Sequence, residues 1–340
     1  MSPKKSPNQK GSGAVAILLT LLIGGAALLG IITYRQVILD QVQAWQYTPT
    51  SEVLSIRDSL GLTDEGKLYF DASHTALEPA SEFNDSCQQQ KETNNPILGC
   101  YYMQRIFVFD VTNQRLDGIE QTTAAHEVLH AAYERLSDSD RTTLDKELRG
   151  AYERVKNKDL EERMAHYEKT EPGEEANELH SILGTEFKDL GPALEAHYKK
   201  YFTDREKVVG FYHQYSSVFV ATKTKLDSMS SQINAKTKSV NGRIQSYNRG
   251  IAQLNRDVQD FNAKSRRGGG FSSQAAFETA RSGLVVRQNN LKTSRSEISR
   301  EIASINALRE KYNALAKEYN ALNASINSSL TPTLKLDSVD

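Results

Sequence analysis

The chain has 340 residues, of which 38% are hydrophobic and 25% are charged, as in folded soluble domains. This composition excludes a wholly disordered chain and a multi-span membrane protein. The 42 basic and 43 acidic residues give a net charge of −1, so the positive surplus typical of nucleic-acid binding is missing. We therefore expect no nucleic-acid partner.

One segment departs from this polar composition. Residues 13–34 carry no charge and are long enough to cross about 30 Å of hydrocarbon as a transmembrane helix. A cleaved secretory signal is the alternative, but the apolar core of such a signal spans only about 7 to 15 residues. Lys4, Lys5 and Lys10 predict that residues 1–12 stay in the cytoplasm. The predicted location is the cell membrane, with one span in contact with the lipid bilayer and the bulk of the chain extracytoplasmic.

Cys87 and Cys100 are the only cysteines in the chain. An oxidising extracytoplasmic compartment favours a disulfide between them. Two free thiols are the alternative. A zinc site is disfavoured because a lone pair of cysteines at this spacing fits no zinc-finger pattern.

The elements predicted after the membrane span are mostly helical. A short helix covers residues 53–60, and aromatic or alternating residues bounded by turn formers predict strands over 67–70 and 105–111. The next helix begins at the hydroxyl cap of Thr122 or Thr123 and ends near Leu136. Further helices are predicted over 137–152, 160–167, 174–187 and 192–202.

Apolar residues recur every seven positions through residues 204–330, as in a coiled coil. The repeat is interrupted at residues 268–270 by three glycines, which permit the chain to reverse. This favours an antiparallel coiled-coil hairpin within one chain. Pairing with another chain is the alternative, in which the coiled coil would form a homo-oligomer or bind an envelope protein partner. The predicted fold is α+β and mostly helical, with a domain over 35–203, the hairpin, and a tail over 331–340.

The chemistry of the chain centres on the sequence HEVLH at residues 126–130. Histidines four positions apart lie on one face of a helix, so His126 and His130 can bind the same metal ion. Neutral imidazoles suit Zn²⁺, and Glu127 can deprotonate water at an open coordination position. A catalytic zinc needs a third protein ligand from elsewhere. The candidates are Glu175, Glu178, His180 and Glu186.

Together with the downstream sequence NELHS, HEVLH resembles the gluzincins, the thermolysin-like zinc peptidases. Their second helix carries an asparagine–glutamate pair, with a serine three residues after the glutamate, as Asn177, Glu178 and Ser181 do here. The resemblance implies that Glu178 binds zinc beside the two histidines and that Glu127 is the general base. It covers about residues 100–190, and it implies that the strand over 105–111 is the edge strand along which a substrate aligns.

The sequence departs from the gluzincin pattern at one position. The residue after the motif serine is Ile182, whereas these peptidases have an aspartate there that orients a zinc-bound histidine. Amide hydrolysis also needs a group that stabilises the oxyanion. His197 is the catalytic residue predicted for this role, with Tyr198 and Tyr201 as neighbouring candidates.

The predicted function is a membrane-anchored, extracytoplasmic zinc metallopeptidase that hydrolyses peptide bonds in a protein or peptide substrate. A zinc enzyme that hydrolyses a different bond, such as one in a cell-wall peptide, is an alternative. The competing hypothesis is a non-catalytic envelope scaffold that uses the coiled coil and holds a structural metal. Glu127 argues against the scaffold, because a structural site uses four ligands and needs no base.

Overall fold

The computed structural model describes residues 34–87 and 97–329. Helices dominate these residues and accompany one small sheet, in agreement with the predicted α+β, mostly helical class. In chain order, the elements are α1 (Arg35–Gln46), α2 (Ser51–Ser59), α3 (Asp64–Ala72), β1 (Ala76–Glu78), α4 (Ala80–Ser86), β2 (Gly99–Tyr102), β3 (Arg105–Phe109), α5 (Ile119–Glu134), α6 (Asp138–Val155), α7 (Lys158–Thr170), α8 (Glu175–Glu186), α9 (Pro192–Tyr198), α10 (Arg205–Ser265) and α11 (Gln274–Ser325).

The described residues divide into two compact units. The first contains residues 34–217, apart from the undescribed 88–96, together with 324–329; the second contains residues 218–323. The first turns of α10 therefore belong to the first unit. An apolar core fills this unit and includes most of the inward face of α5.

The sheet has three strands in the order β1, β3, β2. β1 pairs with β3 in parallel, and β2 pairs with β3 antiparallel, with Cys100 opposite Phe107. The prediction of a strand within 105–111 is confirmed, but the prediction that it is an edge strand is wrong, because β3 lies between two neighbours. β1 and β2 have only three and four residues, too few for alternating side chains to reveal them in the sequence.

Residues 67–70, predicted as a strand, lie inside the helix α3. The Thr63 side chain accepts a hydrogen bond from the Gly66 backbone N–H, and two acidic residues occupy the first turn. Such a cap and such charges stabilise the start of a helix. The helix also buries Phe70 completely. The strand prediction is wrong because these helix-starting signals and this burial outweigh the preference of aromatic residues for strands.

The helix α5, which carries HEVLH, begins at Ile119, earlier than the predicted start at Thr122 or Thr123. Gly118 precedes it with φ of +96°, and a Cβ there would lie 2.7 Å from the carbonyl oxygen of Phe211. Only glycine fits this position without strain. The two threonines lie inside the helix, where their hydroxyls donate to carbonyl oxygens one turn back.

A disulfide joins Cys87 to Cys100, so this prediction is confirmed. Both cysteines are buried. The bond connects the end of α4 to the outer strand β2. It therefore fixes the strand that precedes the central strand β3 in the chain.

The second unit is a helical hairpin formed by α10 and α11. Val240 on α10 packs against Ile298 and Ile305 on α11 in a small apolar cluster. Charged side chains link the same two helices: Arg243 pairs with Glu297 and Glu301, and Arg287 pairs with Asp257. Residues close to the turn pair with each other, and residues distant from it do the same, so the helices are antiparallel.

None of the helices within residues 34–87 and 97–329 combines the length and the apolar character needed to cross a bilayer. Apart from Tyr34, the predicted span over residues 13–34 lies outside the described residues, as do the predicted N-terminal segment and the tail over 331–340.

Candidate metal centre

The site lies between α5 and α8, which pack closely because a glycine of α8 lies at their contact. On α8, a Cβ at Gly184 would lie only 2.4 Å from the Leu129 side chain, so the two helices approach as closely as glycine allows. This packing brings the HEVLH face of α5 against the first turns of α8.

The close packing brings His126, His130 and Glu178 together. The Nε2 atom of His130 lies 3.4 Å from one carboxylate oxygen of Glu178, and Nε2 of His126 lies 3.7 Å from the other. One ligand atom from each of the three residues lies within 4.8 Å of the other two. These are the three residues that the sequence predicts as metal ligands.

The spacing of these atoms suits a tetrahedral metal ion. Zinc bonds of about 2.0 to 2.1 Å at tetrahedral angles separate neighbouring ligand atoms by about 3.4 Å. The two imidazole-to-carboxylate distances, 3.4 and 3.7 Å, are close to this separation. Among the described residues this group offers three ligands, which leaves one tetrahedral position for another molecule.

The Glu178 carboxylate has the electrostatic character of a cation ligand. It is buried, and its Oε2 has no hydrogen-bond donor. Burial alone would raise the pKa of Glu178, but the imidazoles of His130 and His126 hold that pKa below its usual value. The group is therefore an anion in the interior, and a bound cation would remove the cost of its unpartnered oxygen.

Asn177 orients one of the two histidines. Its Oδ1 lies 3.0 Å from Nδ1 of His130, and its Nδ2 donates to a carboxylate oxygen of Glu174. Because Oδ1 can only accept, Nδ1 of His130 carries a proton. Nε2, which faces Glu178, is then the ring nitrogen that can bind a metal. The sequence motif includes Asn177 but indicates no function for it.

Glu127 lies beside the ligands and against the outer strand β2. It is buried, and its burial raises its pKa, although His130 and His126 partly offset this effect. A Cβ at Gly99 in β2 would lie 2.6 Å from Oε1 of Glu127, so the strand can approach the carboxylate only because residue 99 is glycine. A base with a raised pKa takes up and releases protons closer to neutral pH.

Tyr167 on α7 lies near the ligands, and the sequence gives no indication of this. Its side chain helps to lower the pKa of the Glu178 carboxylate. Burial and the negative charge of Glu178 in turn raise the pKa of Tyr167. The phenol is therefore a neutral hydrogen-bond donor near the three ligands. A tyrosine inside an amphipathic helix gives no signal in the sequence that distinguishes it from a core residue.

The structure does not bring His197, the predicted oxyanion stabiliser, into the group of ligands. Its Nε2 lies 2.9 Å from Nε2 of His180, and its ring packs edge-on against Tyr198 and Tyr201. The hydroxyl of Tyr198 donates to the backbone carbonyl of His180. Both tyrosines are buried in the core. A catalytic role for His197 stays a prediction.

The other candidate ligands also have other partners. Glu175 accepts a hydrogen bond from the backbone of Gly173. Glu186 forms a two-pronged ion pair with Arg163, with both distances 2.7 Å. Of the four candidates for the third ligand, only Glu178 belongs to the group.

No family model, curated protein or solved structure matches the chain. The resemblance to gluzincins therefore depends on the motif residues alone. The geometry of the three ligands and of Glu127 is the basis for the function that we propose.

Proposed function

We propose that the protein is a zinc-dependent peptidase that hydrolyses peptide bonds with Glu127 as general base. One observation supports this above all. His126, His130 and Glu178 offer an incomplete ligand set in the interior, and an additional carboxylate that no ligand role requires lies next to them. A structural metal site would use four protein ligands and would have no need of that carboxylate.

The donor set favours zinc over other common ions. Two imidazole nitrogens and one carboxylate oxygen match catalytic zinc, whereas Mg²⁺ and Ca²⁺ prefer six or more oxygen ligands. The hydrogen bond from His130 to Asn177 supports the same interpretation, because it holds the ring in the tautomer that binds metal.

Each group at the site would carry out a different part of the reaction. A zinc ion with an open position would polarise the scissile carbonyl and acidify water. Glu127 accepts the proton of the attacking water and passes it to the leaving amine. Tyr167, a neutral donor near the ligands, would donate a hydrogen bond to developing negative charge.

The outer strand β2 replaces β3 as the strand that we propose for aligning an extended peptide. It is an outer strand of the sheet, and Gly99 brings its backbone next to Glu127. Main-chain hydrogen bonds to such a strand recognise a peptide in the extended conformation. A peptide in the cell wall would be recognised in the same way.

We also propose that the enzyme is anchored in a membrane through residues 13–34 and acts outside the cytoplasm. The uncharged sequence of that segment and the three lysines before it support the anchor. The Cys87–Cys100 disulfide supports an oxidising compartment.

The test compares two glutamate variants of the purified full chain. We expect about one zinc per chain and cleavage of a peptide library, read by mass spectrometry. Glu127→Gln should retain the zinc and lose about 100-fold or more of the cleavage rate, because a positioned general base contributes that much. Glu175→Gln makes the same change outside the ligand group and should leave both measurements unchanged.

Two outcomes would overturn the proposal. The first is a chain that binds no metal when zinc is supplied. The second is cleavage that proceeds in Glu127→Gln at the rate of the unmodified chain.

A further inference from the structure

The helix α1 directs its apolar side chains into solvent. Tyr34, Ile38, Val42 and Trp45 are all exposed, with Trp45 exposed to 85%. At 100° per residue, their spacing places all four within an arc of about 80° on one side of the helix. We call these four residues the α1 stripe.

The other side of α1 is held to the protein by a buried ion pair. Asp40 is 4% exposed, and Arg135 donates to its two carboxylate oxygens at 2.7 and 2.9 Å. Gln36 donates to the same carboxylate. Rotating α1 to bury the stripe would break this pair and leave buried charges unpartnered, which is strongly destabilising. The α1 stripe therefore faces outward in the folded protein.

An exposed apolar stripe of this kind marks an interaction site. The sequence before it indicates the partner, because no charged residue occurs between Lys10 and Arg35. Tyr34 is both the last residue of this uncharged run and the first residue of the α1 stripe. Tryptophan and tyrosine are also the side chains that favour the boundary between hydrocarbon and water.

We propose that the α1 stripe lies in the headgroup region of a phospholipid bilayer, as a contact additional to any membrane span. Amphipathic helices in this position bury their apolar face about 5 to 10 Å into the boundary between headgroups and acyl chains. The proposal depends on α1 and its sequence context and is independent of the metal centre.

Such a contact has a consequence for the rest of the first unit. Arg135, which holds Asp40, is the C-terminal cap residue of α5, the helix that carries His126 and His130. A bilayer that binds the α1 stripe therefore fixes the orientation of α5 relative to the membrane surface. Substrates would reach the metal centre from a fixed height above the bilayer.

The chain contains a single tryptophan, Trp45, so its fluorescence reports directly on the α1 stripe. The full chain would be reconstituted into phosphatidylcholine and phosphatidylglycerol vesicles. In one set of vesicles the lipids would be brominated on acyl carbons close to the headgroup. We expect blue-shifted emission from Trp45, strong quenching by the brominated lipids, and little quenching by iodide in the water.

The matched control moves the tryptophan to a different side of the same helix. Gln43 is exposed and lies about 140° around α1 from the centre of the stripe. In the double variant Trp45→Phe/Gln43→Trp, we expect weaker quenching by lipid and stronger quenching by iodide. This difference would show that the stripe itself, and not simply closeness of α1 to the membrane, makes the contact.

Three results would overturn the proposal. The first is quenching of Trp45 by iodide but not by brominated lipid. The second is equal quenching by lipid at positions 45 and 43. The third is protection of Trp45 from both quenchers, which would show that protein covers the stripe, either residues 1–33 of the same chain or a second copy.

Discussion

His180 and His197 form a close pair whose two Nε2 atoms lie 2.9 Å apart. Two protonated rings cannot share this contact, because each would present a donor and a positive charge to the other. Burial, with the charge of Lys200 added, lowers the pKa of His197 to about 4, and burial also lowers the pKa of His180. The pair is therefore neutral near pH 7.

We expect this pair to make the protein less stable in acid. The folded-state pKa of His197 is below the unfolded value of about 6.5, so the unfolded chain binds more protons between pH 6.5 and about 4. The free energy of unfolding should fall as the pH decreases through this range. Replacing His197 by Phe should make this decrease in the free energy of unfolding smaller by about 2 kcal/mol. This value is lower than the full pKa difference would give, because the ring is partly exposed.

Urea unfolding near pH 7 and near pH 4 would measure the effect in the full chain. His213→Phe makes the same substitution at an exposed histidine and is the matched control. An identical loss of stability in both variants would show that His197 titrates normally and that the pair does not constrain it.

The residues of the metal centre differ in how far the sequence reveals them. His126 and His130 follow from spacing alone, because residues four apart share a helix face. Glu178 required a second motif, because it comes from another helix. Asn177 and Tyr167 acquire their roles only from the way α5, α7 and α8 pack, which no local pattern encodes.

At the scale of elements, the metal centre depends on the close contact between α5 and α8. We expect Gly184→Ala to weaken this contact, because the new Cβ would lie 2.4 Å from Leu129 and 2.7 Å from Tyr198. Such overpacking costs about 1 to 3 kcal/mol. Because α8 also carries Glu178, the variant should bind zinc more weakly as well as unfold more easily.

The matched control is Gly150→Ala on α6, another glycine inside a helix. A Cβ there meets only the end of the Arg154 side chain, at 3.7 Å. Because alanine favours the helix over glycine, we expect this variant to be stabilised by up to about 1 kcal/mol, with unchanged zinc affinity. Chemical unfolding and zinc titration of both variants would test the prediction, and equal effects at the two positions would contradict it.

Most helices of the first unit could be predicted because each buries one regular apolar face. Residues 67–70 of α3 are predicted as a strand and α4 is not predicted, and a third exception is α1, for which the sequence predicts no helix. Its buried residue is the charged Asp40, whereas Ile38 and Trp45 are exposed. An apolar pattern cannot indicate which side such a helix buries. The order of the strands was also beyond the sequence, because it depends on contacts between segments distant in the chain.

At the scale of the whole molecule, the heptad pattern predicts two long helices but not which chains pair. In the structure, α10 and α11 pair within one chain, with Arg287 beside Asp257 and Arg243 beside Glu297. The same contacts would form between two chains that exchanged helices, because an exchanged pair has the same antiparallel register. The contacts between α10 and α11 are therefore the same in both arrangements. A cross-link between the two helices distinguishes pairing within one chain from pairing between two chains.

We expect a cross-link between positions 257 and 287 to stay within one chain. Both native cysteines are joined in the disulfide, so Asp257→Cys and Arg287→Cys would supply the free thiols for a bis-maleimide reagent. The double variant should run as a monomer of altered mobility on a denaturing gel, because the glycines at 268–270 let the chain reverse. Asp257→Cys alone is the control and should give no such species. Covalent dimers of the double variant would show that two chains exchange their helices.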